Sequence, residues 1–178
     1  MDKTEKCLKE NKIFEGRVVT LFNDDVITPK GNKTNREYIS HPGGVCCLAI
    51  YDNLIYFEKQ FRYPYHKEIL ELPAGKLEKT DTDVFEAMRR ELKEEIGFVS
   101  EDLEYLGYMY PSVGCSNEVI HLFFSPINKI GSTDPDEDEV IEVIKLSPKE
   151  AYELLDKGDI HDAKTVILLE KLRKVLLK

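Results

Sequence analysis

An α+β fold, a mixed β-sheet sandwiched between helices with a small antiparallel β unit at the N-terminus, is predicted by three observations. Short apolar strands separated by turns fill the first part of the chain. The apolar period then switches to four residues at Val84, Met88, Leu92 and Ile96, which marks a helix. Two further helical stretches close the sequence. A sheet covered on its faces by helices buries all of these apolar surfaces most economically.

Taken in order, residues 13–21 read as a strand, residues 28–32 (Thr28-Pro29-Lys30-Gly31-Asn32) as a turn, and Arg36 to Ser40 as a second strand. Such a unit is too small to be stable alone. We therefore expect residues 1–42 to form an N-terminal β unit and residues 43–178 the main domain. Val45 to Ile50 and Leu54 to Glu58 flank Tyr51-Asp52-Asn53 as a hairpin-like pair. Asp83 with Glu86 resembles a capping box for the first helix, and Gly97 is a natural stop. Strands are expected near 103–110, 119–124 and 140–146. A short helix opens at Pro148, and a last one opens at Asp162 or Ala163, with Val166, Leu169, Leu172 and Leu176 on one side.

Composition narrows the function. The 178-residue chain is 42% hydrophobic with a formal net charge of −9. That charge repels a phosphate backbone, so nucleic-acid binding is not expected. No apolar run reaches the length of a membrane span, and Met1 to Lys12 lack the apolar core of a secretory signal. Cys7, Cys46, Cys47 and Cys115 form no Cys-x-x-Cys pair, which suits a reducing cytoplasm better than a disulfide framework. The acid excess fits either solubility or the binding of a divalent cation through oxygen ligands. Position decides between them.

The informative stretch is Arg90-Glu91-Leu92-Lys93-Glu94-Glu95-Ile96-Gly97-Phe98. Glu91, Glu94 and Glu95 stand at i, i+3 and i+4, so their carboxylates can share a helix face. Like charges at that spacing destabilise a helix unless a cation offsets them. Taken alone, the segment would more often be a solvated charged face. The upstream loop, Glu71-Leu72-Pro73-Ala74-Gly75-Lys76-Leu77-Glu78, changes the odds. It contains a glycine and can offer the Ala74 carbonyl as a further metal ligand.

At these residues the chain resembles the Nudix family, whose box runs Gly-x5-Glu-x7-Arg-Glu-x2-Glu-Glu-x-Gly. Arg90 to Phe98 match its second half, and Gly75 matches its start. Between Gly75 and Arg90 the chain is one residue longer than the pattern, and the box's first Glu is missing. Asp81 stands there counting from Gly75, Thr82 counting back from Arg90. The resemblance covers roughly residues 12–175 and is closest to the ADP-ribose pyrophosphatase branch. Its carriers are Arg36 to Val45, Glu58-Lys59-Gln60-Phe61-Arg62-Tyr63-Pro64, Glu71 to Gly75, and Tyr110 to Glu118. Val113 replaces that branch's marker proline.

The resemblance implies a Nudix fold and Mg²⁺-dependent hydrolysis of ADP-ribose to AMP and ribose 5-phosphate, with Mn²⁺ as a possible substitute. It implies metal ligation by Ala74, Glu91, Glu94 and Glu95, with Glu94 also a candidate for catalysis. Arg36, Arg62, Gly114 and Glu118 become substrate-binding candidates, although either arginine alone would more often be a surface residue. Arginine suits a phosphate or an adenine face. His41, beside Pro42-Gly43-Gly44, reads as structural. The run Asp134 to Glu139 lacks the glycine and closing Glu spacing of an EF-hand. The resemblance makes it the source of the catalytic base, Glu137 first and Glu139 second. It also implies a homodimer whose N-terminal units complete the adenine pocket. Other nucleoside diphosphate derivatives are alternative substrates, and a non-catalytic ADP-ribose-binding regulator is an alternative role.

Overall fold

The computed structural model describes residues 2–127 and 140–177. The chain divides into two compact units. The first comprises residues 1–43 and 110–119, the second residues 44–109 and 120–178.

In the first unit, β1 (Lys6–Lys9), β2 (Lys12–Glu15), β3 (Thr20–Ile27) and β4 (Lys33–Ser40) form an antiparallel sheet. β4 runs the full length of β3, from Thr20 opposite Ser40 to Ile27 opposite Lys33. β1 and β2 share the other edge of β3. The expected strand over 13–21 is corrected here. The chain turns at Gly16, whose N–H donates to the Val19 carbonyl at 2.9 Å, and this splits β2 from β3. The expected turn at 28–32 is present, closed by Thr28 N–H to Asn32 O and Gly31 N–H to Thr28 O, each 2.9 Å.

The second unit holds β5 (Gly44–Tyr51), β6 (Leu54–Arg62), β7 (Lys67–Glu71), β8 (Ala74–Lys76), α1 (Val84–Ile96), β9 (Glu104–Met109), β10 (Ile120–Pro126), β11 (Ile141–Leu146), α2 (Pro148–Lys157) and α3 (Ala163–Leu176). The sheet runs β11-β6-β5-β10-β9, with β7 paired to β6 and β8 to β5. It is mixed because β5 and β10 are parallel and the other pairs antiparallel. Strand alternation sends side chains to both faces. From β5, Val45, Cys47 and Ala49 pack with Ala87, Met88, Leu92 and Ile96 of α1. Cys46 and Leu48 pack on the other face with Ala151 and Tyr152 of α2 and Leu168, Leu169 and Leu172 of α3.

The predicted helix ends are accurate. Asp83 caps α1 by accepting from the N–H groups of Phe85 and Glu86, and Gly97 ends it in the left-handed region at φ 71°. The expected capping box is only half formed: Glu86 takes the Thr82 hydroxyl at 2.6 Å rather than the Asp83 N–H. Ser147 and Glu150 form a full capping box on α2, and Asp162 caps α3. Strands β1, β7 and β8 were not anticipated. Each has five residues or fewer and gains its strand character only by pairing with a longer neighbour.

Candidate active site

The glutamates of α1 are placed by the packing of its apolar stripe. Met88 and Leu92 are fully buried, which fixes the rotation of the helix, and the adjacent Glu91 and Glu95 are each only 7% exposed. Gly75 of β8 lies directly against this face. A Cβ built on Gly75 would sit 1.9 Å from the Glu91 carboxyl carbon, so only glycine permits the approach. Next to it, the Ala74 N–H donates to Glu95 Oε2 at 3.0 Å.

Arg90 organises the rim. Its Nη1 donates to Glu91 Oε1 at 2.8 Å and to Glu94 Oε2 at 3.0 Å. Its Nε and Nη2 reach Asp81 at 3.2 Å each, and Nη2 also reaches the Lys76 carbonyl at 3.2 Å. Of the two residues that counting places at the missing Glu, Asp81 bonds Arg90 and Thr82 bonds Glu86. The Arg90 guanidinium holds the Asp81 carboxyl below its usual range.

Two functional candidates escaped sequence reasoning. Glu58 and Glu71 stand opposite each other on β6 and β7, and both are buried. Glu58 Oε1 has no hydrogen-bond partner among the described residues. Burial, with Glu71 nearby, pushes the Glu58 carboxyl up to about 7 despite its hydrogen bond with Glu95. Glu95 is raised too, by burial and by the neighbouring charges of Glu58 and Glu91. A glutamate two positions beyond Tyr56 on the face that packs α1 was the available signal, because strand alternation carries it inward.

Arg62 forks onto Glu71, with Nε to Oε1 at 2.6 Å and Nη2 to Oε2 at 3.0 Å. Lys164 of α3 reaches the same carboxylate. Burial alone would raise Glu71, but these two cations hold it below the ordinary value.

Ala74, Glu91, Glu94, Glu95 and Arg62 therefore fall in the second unit, and Arg36, Gly114 and Glu118 in the first. Arg36 pairs with Glu5 through Nε at 2.8 Å and Nη2 at 2.5 Å. Glu118 Oε1 lies 3.4 Å from His41 Nδ1, which accepts the Gly43 N–H at 3.1 Å. Gly114 belongs to the turn closed by Ser116 N–H to Ser112 O at 3.0 Å, beside Val113, which is 81% exposed. Glu137 and Glu139 lie outside the described residues.

Among the described residues, no three acidic, histidine or cysteine side chains converge as a formed metal cage. The donor chemistry nonetheless fits a hard divalent cation. Glu58 and Glu95 are buried carboxylates pressed together, and Glu58 has an unmatched acceptor oxygen that a cation would satisfy.

The comparison with known families settles the wider identity. A profile described as "NUDIX domain" matches residues 40–169.

The chain belongs to the Nudix family.

Among relatives, it is 36% identical to "ADP-ribose pyrophosphatase" of Bacillus subtilis (strain 168), over 95% of this chain and 92% of that one. It is 41% identical to "Methanol dehydrogenase activator" of Bacillus methanolicus over the same shares. A GDP-mannose pyrophosphatase of Yersinia enterocolitica is 35% identical over 79% of this chain and 73% of its own. A solved structure described as "Crystal structure of ADP compounds hydrolase" superposes with a TM-score of 0.85 at 20% identity, covering 98% of this chain and 95% of that one. That likeness supports the Nudix fold. The protein is a Nudix hydrolase, and the Gly75–Glu91 contact is where its box closes on itself.

Proposed function

We propose that this Nudix hydrolase cleaves the diphosphate bridge of ADP-ribose to AMP and ribose 5-phosphate with Mg²⁺, Mn²⁺ serving as substitute. The observation that carries the reading is the near full-length likeness to an ADP-ribose pyrophosphatase. The buried carboxylates around Gly75 support it.

Glu91, Glu94, Glu95 and the Ala74 carbonyl would hold the metal, which when bound neutralises phosphate charge and acidifies water. Arg90 restrains Glu91 and Glu94, and the Ala74 N–H restrains Glu95. Arg62 offers a fork suited to a phosphate. Arg36, Gly114 and Glu118 serve substrate recognition. Glu137, with Glu139 as second choice, takes the proton from the attacking water oxygen.

The protein works in the cytoplasm as a homodimer, with residues 1–42 as the dimerising and adenine-side unit. Strands β1 and β2 are exposed along their whole length, Ile13 and Phe14 at 59% and 58%, which is the surface a second copy would cover.

The test is product analysis with Mg²⁺ across ADP-ribose, ADP-glucose, GDP-mannose, a dinucleoside polyphosphate and an oxidised nucleotide. AMP and ribose 5-phosphate released fastest from ADP-ribose supports the proposal. A faster reaction on another member moves the substrate there.

The relative named for activating methanol dehydrogenase favours a second reading, in which the chain regulates a partner enzyme. Adding wild type and Glu91→Gln to a methanol dehydrogenase separates the two. Activation that survives the substitution follows binding rather than hydrolysis.

A further inference from the structure

Glu71 carries two cations at once, and they are placed differently. The Lys164 side chain is 12% exposed and lies 2.5 Å from Glu71 Oε2 and 2.9 Å from Asp162 Oδ1. The Arg62 side chain is 39% exposed and, among the described residues, pairs with Glu71 alone. Glu71 itself is 6% exposed, and a carboxylate so buried is strongly unfavourable without a counter-charge. One of the two cations is enough to prevent that. Lys164 is the more buried of the two, and Arg62 the more open to solvent.

The position of Lys164 is set in advance. Asp162 Oδ2 accepts the Thr165 N–H at 3.0 Å and the Thr165 hydroxyl at 2.6 Å. Thr165 Oγ1 in turn accepts the Leu72 N–H at 2.8 Å, one residue past Glu71. The first turn of α3 is thus fastened to the end of β7, and Lys164 reaches Glu71 from a fixed base. Among the described residues, Arg62 has no comparable restraint beyond Glu71. Its planar fork matches a phosphate as well as it matches a carboxylate.

We infer that Lys164 is a positioning residue that keeps Glu71 neutralised, so that Arg62 can exchange from Glu71 to the diphosphate of the substrate. This rests on the diphosphate-hydrolase reading given above. Without Lys164, Arg62 would be the sole counter-ion of Glu71 among the described residues, and turning its Nε–Nη2 fork onto a phosphate would leave that buried carboxylate without a cation.

The experiment measures ADP binding by calorimetry, together with kcat and KM on ADP-ribose. Lys164→Met is expected to weaken ADP binding and raise KM by about tenfold, the scale of one charge-assisted hydrogen bond. Its kcat and Mn²⁺ affinity should stay near wild type, and Lys164→Arg should restore most of the binding. Glu71→Gln in the Lys164→Met background removes the charge that ties Arg62 down. It should recover ADP affinity, and it provides a folded partner if Lys164→Met alone is unstable.

Wild-type ADP affinity in Lys164→Met overturns the inference while leaving the hydrolase reading intact. So does a fall in kcat with KM unmoved, or a binding defect that Glu71→Gln does not relieve. A wild-type protein that neither binds ADP nor cleaves a nucleoside diphosphate compound overturns both.

Discussion

Asp81 meets Arg90 through two hydrogen bonds of 3.2 Å each, and the Asp81 backbone N–H is held by the Glu78 carbonyl at the same distance. The Asp81 side chain is 8% exposed and Arg90 25%, so the pair is screened from water more than a surface bridge is. Arg90 also restrains Glu91 and Glu94, so this contact stands behind the carboxylate face. Asp81→Ala should lower stability by about 1.5–3 kcal/mol, the usual worth of hydrogen bonds to a charged group. Asp81→Glu should lose less. Urea unfolding with an unchanged m-value checks it, and a loss within error would mean that Arg90 is held adequately by its other partners.

Gly75→Ala should fold but bind metal poorly. The added Cβ would collide with the end of the Glu91 side chain rather than with backbone, so the carboxylate must swing away while the core stays packed. A thermal midpoint close to wild type is expected, with Mg²⁺ affinity reduced about 10- to 100-fold, as when a ligand loses its orientation. Equal Mg²⁺ affinity in the variant would show that Glu91 has no part in binding.

Metal-free protein should lose stability as the pH rises from about 4.5 to 7. Burial raises the Glu58 carboxyl from 4.5 to about 7, and Glu95 moves the same way. A raised folded-state value means that the neutral form is favoured on folding. The contribution is therefore fully present below the unfolded value and is lost as the pH climbs through the folded one. Glu58→Gln should flatten the melting-temperature profile in this window. A profile equally steep in the variant would assign the dependence to other groups.

Phe14→Asp should convert the protein to a monomer if the exposed strands of the first unit are the dimer surface. Phe14 is 58% exposed, so the substitution opens no cavity in the core. Sedimentation velocity measures the outcome, and a dimer that persists at micromolar concentration would place the interface elsewhere.

Glu137→Gln should lower kcat by about 10²- to 10⁴-fold with KM and Mg²⁺ dependence nearly unchanged, the behaviour of a general base. Glu139→Gln is the comparison. If it alone is crippled, the role passes to Glu139. If neither variant slows turnover, the base lies elsewhere, and Glu94 or Glu118 is the next candidate.

The sequence by itself determined the helix that carries the box, its caps at Asp83 and Gly97, the apolar strands β5 and β6, and the family. These are local signals: a four-residue apolar period, a capping side chain, a turn glycine. Tertiary structure decided what depends on distant partners. Counting along the chain left Asp81 and Thr82 as equal candidates for the missing Glu, and only the fold shows that Arg90 bonds Asp81. Arg62 read as a free surface arginine or a phosphate ligand, yet it is tied to Glu71, with Lys164 arriving from 93 residues away. Glu58, the last residue of the strand expected over 54–58, is a buried acid against Glu95. Spacing along the chain records which face of an element a side chain takes. Burial and charge pairing belong to the elements that meet there, and only the folded arrangement brings those together.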